Sequence, residues 1–150
     1  MTQRDELRLT EMTEENLQAA MLLLRECFAS PWPESVYRRD LADPQSFALL
    51  CMDGDTVAGF IHCSYVLDEL TLNTLAVAPA YRRQGIAGRL WKAAAARVQG
   101  ICKVCYLEVR EGNLPARSLY ASLGFVQNGY RPRYYSDPEE AAVLMAMQLS

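Results

Sequence analysis

Apolar positions change their period along this chain. Leu7-Arg8-Leu9 alternates and predicts a short first strand. Leu17, Ala20, Met21, Leu24 and Phe28 then recur at three- and four-residue spacing, which predicts one amphipathic helix over 14–28. Thr13 stands where its hydroxyl can cap that helix, and Pro31-Trp32-Pro33 stops it. A short second helix is predicted from Glu34 to Leu41, before Pro44. From Phe47 onward the pattern is that of strands: Phe47–Met52, Val57–Val66 and Leu70–Val77. The turns Asp53-Gly54-Asp55 and Asp68-Glu69 join them into an antiparallel meander.

The helical period returns over Gly85 to Gln99, with Ile86, Leu90, Ala94 and Val98 on one face and Gly100 as the stop. Val104 to Val109 is the next strand. A helix follows from Leu114 or Pro115 to Leu123, ended by Gly124. Phe125–Tyr130 and Val143–Leu149 close the chain as two further strands. The order β-α-α-β-β-β-α-β-α-β-β predicts a mixed α/β (α+β) fold. No repeat, low-complexity tract or linker interrupts it, so residues 1–150 read as one domain.

Composition narrows the chemistry. A hydrophobic content of 51% supplies a core and excludes disorder as the main state. The net charge of −3 argues against bulk electrostatic binding to nucleic acid, and an acidic surface suits a cationic substrate, an amine or a basic peptide. No apolar run approaches the roughly 20 residues of a membrane span, and Met1 to Leu9 is too polar for an export segment. The five cysteines are odd in number and irregular in spacing, which fits free thiols in a reducing cytoplasm. Cys102-Lys103-Val104-Cys105 spells a CxxC, yet His62 is the lone histidine and no further ligand pattern accompanies it. Buried thiols are expected there, and no metal.

Four places carry candidate chemistry. Arg82 to Gly88 follows a strand and opens a helix. Gly85 lets the backbone approach a ligand, and the free N–H groups of a first helical turn attract phosphate. The spacing is neither a Walker A motif nor a dinucleotide GxGxxG. A plain helix start with solvated arginines fits the segment equally well. Glu108 shares one strand face with Val104 and Tyr106, opposite Cys105, Leu107 and Val109. A carboxylate in so apolar a strand is costly unless paired or used, so it is either a base or a solvent-facing partner of Arg110. Tyr120, in Ser118-Leu119-Tyr120-Ala121-Ser122-Leu123-Gly124-Phe125, is either a phenolic acid or a core tyrosine. Asn113 stands at a helix start, as a cap or also as a ligand contact.

Together these stretches resemble the GCN5-related N-acetyltransferase (GNAT) superfamily. Its cofactor signature, [R/Q]-x-x-G-x-[G/A], is matched by Arg82-Arg83-Gln84-Gly85-Ile86-Ala87, with Ala87 rather than Gly in the last place. Ser30-Pro31-Trp32, Val66 to Glu69, Leu107 to Arg110, Leu119 to Phe125 and Arg131 to Tyr135 resemble the branch that acetylates the N-terminal alanine of a ribosomal protein. The resemblance implies a GNAT-like fold of about seven mostly antiparallel strands and four helices. It implies acetyl-CoA as the donor, held by Leu75, Ala76, Val77, Arg83, Gln84, Gly85, Ile86, Ala87, Gly88 and Asn113. It implies Glu108 as general base and Tyr120 as the acid for the departing thiolate. The acceptor implied is the N-terminal peptide of a small-subunit ribosomal protein. Trp32, Glu69, Tyr134 and Tyr135 would line its slot, although Trp32 also reads as a plug between helices and the tyrosine pair as a strand-edge cluster.

Overall fold

The computed structural model describes residues 7–149. Residues 1–6, part of the polar start that argued against an export segment, lie outside the described residues. Seven strands and four helices follow one another in the predicted order: β1 (Leu7–Glu11), α1 (Leu17–Cys27), α2 (Glu34–Asp40), β2 (Ser46–Asp53), β3 (Thr56–Val66), β4 (Glu69–Val77), α3 (Ile86–Arg97), β5 (Val104–Arg110), α4 (Leu114–Leu123), β6 (Val126–Tyr135) and β7 (Glu140–Gln148). A short 3-10 turn, Pro79–Tyr81, links β4 to α3.

The strands form one sheet in the order β1-β2-β3-β4-β5-β7-β6. All neighbours are antiparallel except β4 and β5. Alternation along β2 explains the layers. Leu49 and Cys51 pack with Ile86, Leu90, Trp91 and Ala94 of α3. Ala48, Leu50 and Met52 pack with Leu17, Met21 and Leu24 of α1 and Tyr37 of α2. Helices therefore cover both faces, and β2 reads as a continuous apolar run because both of its faces are buried.

Gly59 in β3 permits the closest of these contacts. A Cβ there would sit 2.6 Å from Ile86 Cγ2 and 3.0 Å from Leu90 Cδ1. The glycine thus seats the first turn of α3 against the sheet.

Several element ends differ from the sequence pattern. Helix α1 begins at Leu17, three residues after the predicted start, and Thr13 does not cap it. Residues 13–16 instead form a turn held by Asn16, whose Oδ1 accepts the Thr13 N–H at 2.7 Å and whose amide donates to the Glu11 carbonyl at 3.1 Å. Strand β6 runs on to Tyr135, and β7 starts at Glu140 rather than Val143. Arg131, Pro132 and Arg133 hide that extension, because an exposed hairpin arm carries no alternation to read.

The feature that positions the site is a fork. Strands β4 and β5 pair only over Glu69–Thr71 and Val104–Tyr106. Opposite this, the β3–β4 register shifts between His62 and Cys63, so that Asn73 is an extra residue in β4. An extra residue bends its strand. Past it, Leu72–Val77 and Leu107–Arg110 no longer pair, and the sheet opens between them.

Candidate active site

Chain turns at the open end of the fork place the groups that a ligand meets. Gly85 sits at φ +78°, the left-handed region that glycine enters without strain, and precedes the first turn of α3. The helical ladder begins with the Arg89 N–H on the Gly85 carbonyl, at 3.1 Å. The N–H groups of Ile86, Ala87 and Gly88 consequently have no acceptor within the helix, and they carry its positive end. Arg82 and Arg83 are exposed beside them. The Arg82 Nε donates to the Val77 carbonyl at 3.1 Å and ties the loop to the end of β4.

These segments enclose a cavity of about 630 Å³. Leu75, Ala76, Val77, Arg83, Gly85, Ile86, Ala87, Gly88 and Asn113, which the resemblance assigns to the donor, all line it. Gln84 does not line it. The Ile86 side chain is 1% exposed and belongs to the core, so the reach of this residue into the cavity is through its main chain. Cys27 and Phe28 from the end of α1 also form the wall, which no motif announced. Across the cavity, Asn113 Oδ1 accepts the Ala116 N–H at 3.2 Å and caps α4. Asn113 is therefore both cap and lining residue.

Glu108 lies where β5 has just parted from β4. The strand alternation is as read, with Cys105, Leu107 and Val109 buried. Glu108 itself is exposed on the other face, so the apolar surroundings expected for it lie behind the strand. It is also not paired with Arg110, whose guanidinium lies 3.3 Å from Glu140 and 4.4 Å from the Tyr135 ring centre. Instead, Tyr134 donates its hydroxyl to Glu108 Oε1 at 3.1 Å. Thr71, Tyr106, Asn128 and Arg131 line, with Glu108, a second cavity of about 300 Å³. Arg131 stands over the Tyr134 ring, 5.6 Å from its centre. Strand alternation placed Glu108 and Tyr106 on one face; Thr71, Asn128 and Arg131 come from β4 and β6, which a one-dimensional pattern does not join.

Tyr120 is half-buried against the core, its ring 6.0 Å from that of Phe125, and it is not among the residues lining the first cavity. Burial pushes its phenol up to about 12, with the nearby Tyr135 hydroxyl and Cys63 thiol adding to the effect. Tyr135 is half-buried and packs edge-on against Tyr134, ring centres 5.1 Å apart. Glu69 is exposed at the start of β4, beside Val104, and lines none of these cavities. Trp32, 42% exposed, is not a buried plug, and it is not among the residues lining the Glu108 cavity. It forms the rim of a third cavity under α2, with Asp40, His62, Ser64 and Asn73.

The CxxC thiols are both buried. Burial raises Cys105 to about 12 and raises Cys63 as well, which leaves them poor nucleophiles. Among the described residues, no group of three or more His, Cys, Asp or Glu side chains is placed to hold a metal. No helix among them is long and apolar enough to cross a membrane.

The chain is 43% identical over 100 residues to the [ribosomal protein bS18]-alanine N-acetyltransferase of Haemophilus ducreyi, covering 63% of this chain and 68% of that protein. It is 34% identical over 139 residues to the protein of the same name from Escherichia coli, covering 90% and 93%. The crystal structure of the ribosomal-protein-S18-alanine N-acetyltransferase from Escherichia coli superposes with a TM-score of 0.85 at 30% identity, covering 96% of this chain and 94% of that one. Residues 17–125, which hold the fork, the α3 turn and Glu108, match the acetyltransferase (GNAT) family, and the chain belongs to that family.

Proposed function

We propose that this chain transfers the acetyl group of acetyl-CoA to the N-terminal alanine amine of a small-subunit ribosomal protein, by direct attack in a ternary complex. The observation that carries the reading is the fork: a donor-sized cavity reaches it from α3, and Glu108 stands at it on the opposite face. The relatives named above supply the acceptor.

The residues present fit acetyl-CoA. The unpaired N–H groups of Ile86, Ala87 and Gly88, with Arg83 beside them, form a cradle for a pyrophosphate. The main chain of Leu75, Ala76 and Val77 lies at the open edge of β4, placed to hold the pantetheine arm and to polarise a carbonyl. Gln84 stays in the reading only as a support of the loop. Asn113 would touch the donor from the far wall. Acetyl-CoA itself supplies an activated thioester.

An amine attacks a thioester only when neutral, so the first need is a base. Glu108 takes the proton from the α-ammonium, directly or through water, and Tyr134 orients its carboxylate. Tyr120 stays protonated far above neutral pH. Tyr120 lies just outside the lining of the donor cavity, so the role proposed for it requires its hydroxyl to turn toward the thiolate. Since a thiol holds its proton with a pKa of about 8.5, the phenol then acts chiefly as a hydrogen-bond donor. Tyr135 closes the slot behind Tyr134, and Glu69 and Trp32 flank the acceptor's path. No cysteine takes part, since no acyl-enzyme forms. We read residues 1–150 as one domain acting in the cytoplasm, where five free thiols persist, with a protein acceptor and neither nucleic acid nor membrane as partner.

Mass spectrometry of short peptides beginning with Ala, incubated with acetyl-CoA, tests the acceptor. Acetylation at the α-amine supports it; turnover of a polyamine with no acetylated peptide sinks it in favour of a small-amine acceptor. Glu108→Gln should lower kcat at neutral pH by about 10²–10⁴-fold and leave acetyl-CoA affinity unchanged. An unchanged kcat removes Glu108 from the base role.

A further inference from the structure

His62, Asp40 and Asn73 take no part in the chemistry above, yet they meet where the fork begins. Asn73 is the extra residue of β4, and a bulged residue lacks the ladder bonds that hold its neighbours. No strand supports it on the fork side, because β5 pairs with β4 only as far as Thr71. Side chains supply the tie instead. The Asn73 amide nitrogen donates to Ser64 Oγ at 3.1 Å and stands 3.3 Å from His62 Nδ1. It carries two N–H groups, one for each acceptor.

His62 is placed to accept. It is 2% exposed, and its ring stands edge-on to those of Trp32 and Tyr37, with centres 5.7 Å and 5.3 Å away. Asp40 Oδ2, at the end of α2, lies 3.2 Å from the opposite nitrogen, Nε2, off the line of a hydrogen bond. Its negative charge favours the proton on Nε2 and leaves the Nδ1 lone pair for Asn73. Burial lowers the pKa of the ring from its ordinary value, against the pull of Asp40, and keeps the ring neutral. A protonated ring would have no lone pair to offer.

The extra residue sets the phase of the strand beyond it. Leu70 and Leu72 pack toward α3, and Leu75 packs there too, so alternation skips a residue between 72 and 75. Ala76 packs on the opposite face. The main chain follows the same phase. Ala78 donates its N–H to the Ala58 carbonyl of β3 at 2.9 Å. Alternation then turns Ala76 toward β3 and turns Leu75 and Val77 toward the open edge. Val77 agrees: its carbonyl takes Arg82 Nε at 3.1 Å and the Cys27 thiol at 3.7 Å, neither of them in β3. Were the bulge to slip by one residue, Thr74 and Ala76 would face the edge in their place.

We infer that His62 is a positioning residue for acetyl transfer: backed by Asp40, it pins Asn73 and so holds the Leu75 and Val77 main chain aimed at the thioester. This rests on the reading that this main chain polarises the carbonyl of acetyl-CoA. The phosphate cradle belongs to α3 and does not depend on the clamp. Loss of the clamp therefore lowers the rate and leaves donor binding nearly intact.

The test reads the carbonyl directly. The infrared band of an isotopically labelled thioester carbonyl is recorded for acetyl-CoA bound to wild type, His62→Leu, Asn73→Ala and His62→Gln. Leucine fills the space without an acceptor, and the glutamine amide restores one. On binding, the band should move to lower frequency in wild type, move less in His62→Leu and Asn73→Ala, and recover in His62→Gln. In turnover, His62→Leu should lose about tenfold or more in kcat while the Kd for CoA stays within about twofold. The double variant should be no slower than the worse single one, since both break one bond. An undiminished band shift in folded His62→Leu overturns the clamp, as do kcat losses that multiply in the double variant. If His62→Leu fails to fold by circular dichroism, Asn73→Ala, which alters a half-buried residue, decides by the same readings. A wild-type band that does not move on binding overturns the polarised carbonyl and the clamp with it. A band that moves and responds to His62 in a protein that acetylates no amine refutes the proposed function and supports the clamp.

Discussion

Gly59→Ala is the most informative single change, because it acts on the donor site without touching it. Carbon atoms pack best at about 3.5–4.0 Å. The new methyl would lie 2.6 Å from Ile86 Cγ2, about 1 Å too close, and 3.0 Å from Leu90 Cδ1. Ile86 and Leu90 are 1% and 0% exposed, so neither side chain can swing into solvent. The first turn of α3 must therefore ride outward. Overpacking of this kind costs about 1–3 kcal/mol, and the stiffer unfolded chain returns about 0.4–1 kcal/mol. The net expectation is a loss of about 1–2 kcal/mol in urea unfolding and a several-fold weaker acetyl-CoA Kd. Ile86→Ala alone should cost about 2–5 kcal/mol through the hole it leaves. Combined, the two should be less harmful than their sum by about 1 kcal/mol or more, since the added methyl enters the vacated space. Unfolding midpoints of the four proteins complete the cycle. Free energies that add within about 0.5 kcal/mol, or a Gly59→Ala protein as stable as wild type, would refute the claim that this contact seats the helix.

Two further outcomes follow from local geometry. Unfolded tyrosine loses its proton near pH 10, whereas folded Tyr120 keeps it to about 12; folded stability therefore falls as pH rises through that window, by up to about 2 kcal/mol from this group. Tyr120→Phe should flatten the decline relative to wild type in urea unfolding at pH 9 to 12, and identical slopes would remove the effect from Tyr120. Asn113→Ala deletes the cap of α4 and should cost about 1 kcal/mol, while Asn113→Ser should recover most of it; equal loss in both variants would show that the side chain acts there by some means other than capping.

The sequence pattern revealed the elements well and the site in part. Period changes gave all seven strands and four helices, because both helical pairs press one apolar stripe against a sheet buried on two faces. The Arg82–Ala87 motif was legible because its chemistry is local: one glycine at positive φ and one free helix start. Three things were not. Thr13 looked like a cap, but Asn16 won the turn by bonding in both directions. Glu108 seemed to sit in apolar surroundings, though its strand faces two environments and the carboxylate takes the open one. His62, Asp40 and Asn73 lie on three different elements, and the β4 register shift that gathers them leaves no mark on hydrophobic period.

The exchange of β6 and β7 in the sheet order also bears on how this chain behaves in a crowded solution. It leaves β6 as the outermost strand, with one side of its backbone unmatched by any described strand. An open edge invites a foreign strand, and long regular edges seed aggregates. Here the edge is spoiled along its length. Pro132 has no N–H to offer, Arg133 turns to φ +56°, and the register breaks between Gln127 and Gly129 and again between Arg131 and Tyr135. At the opposite margin β1 is five residues long. Charge, proline and irregular register thus guard the same hairpin that presents Tyr134 to Glu108, so substitutions that regularise β6 to tune acceptor choice should be watched first for loss of solubility.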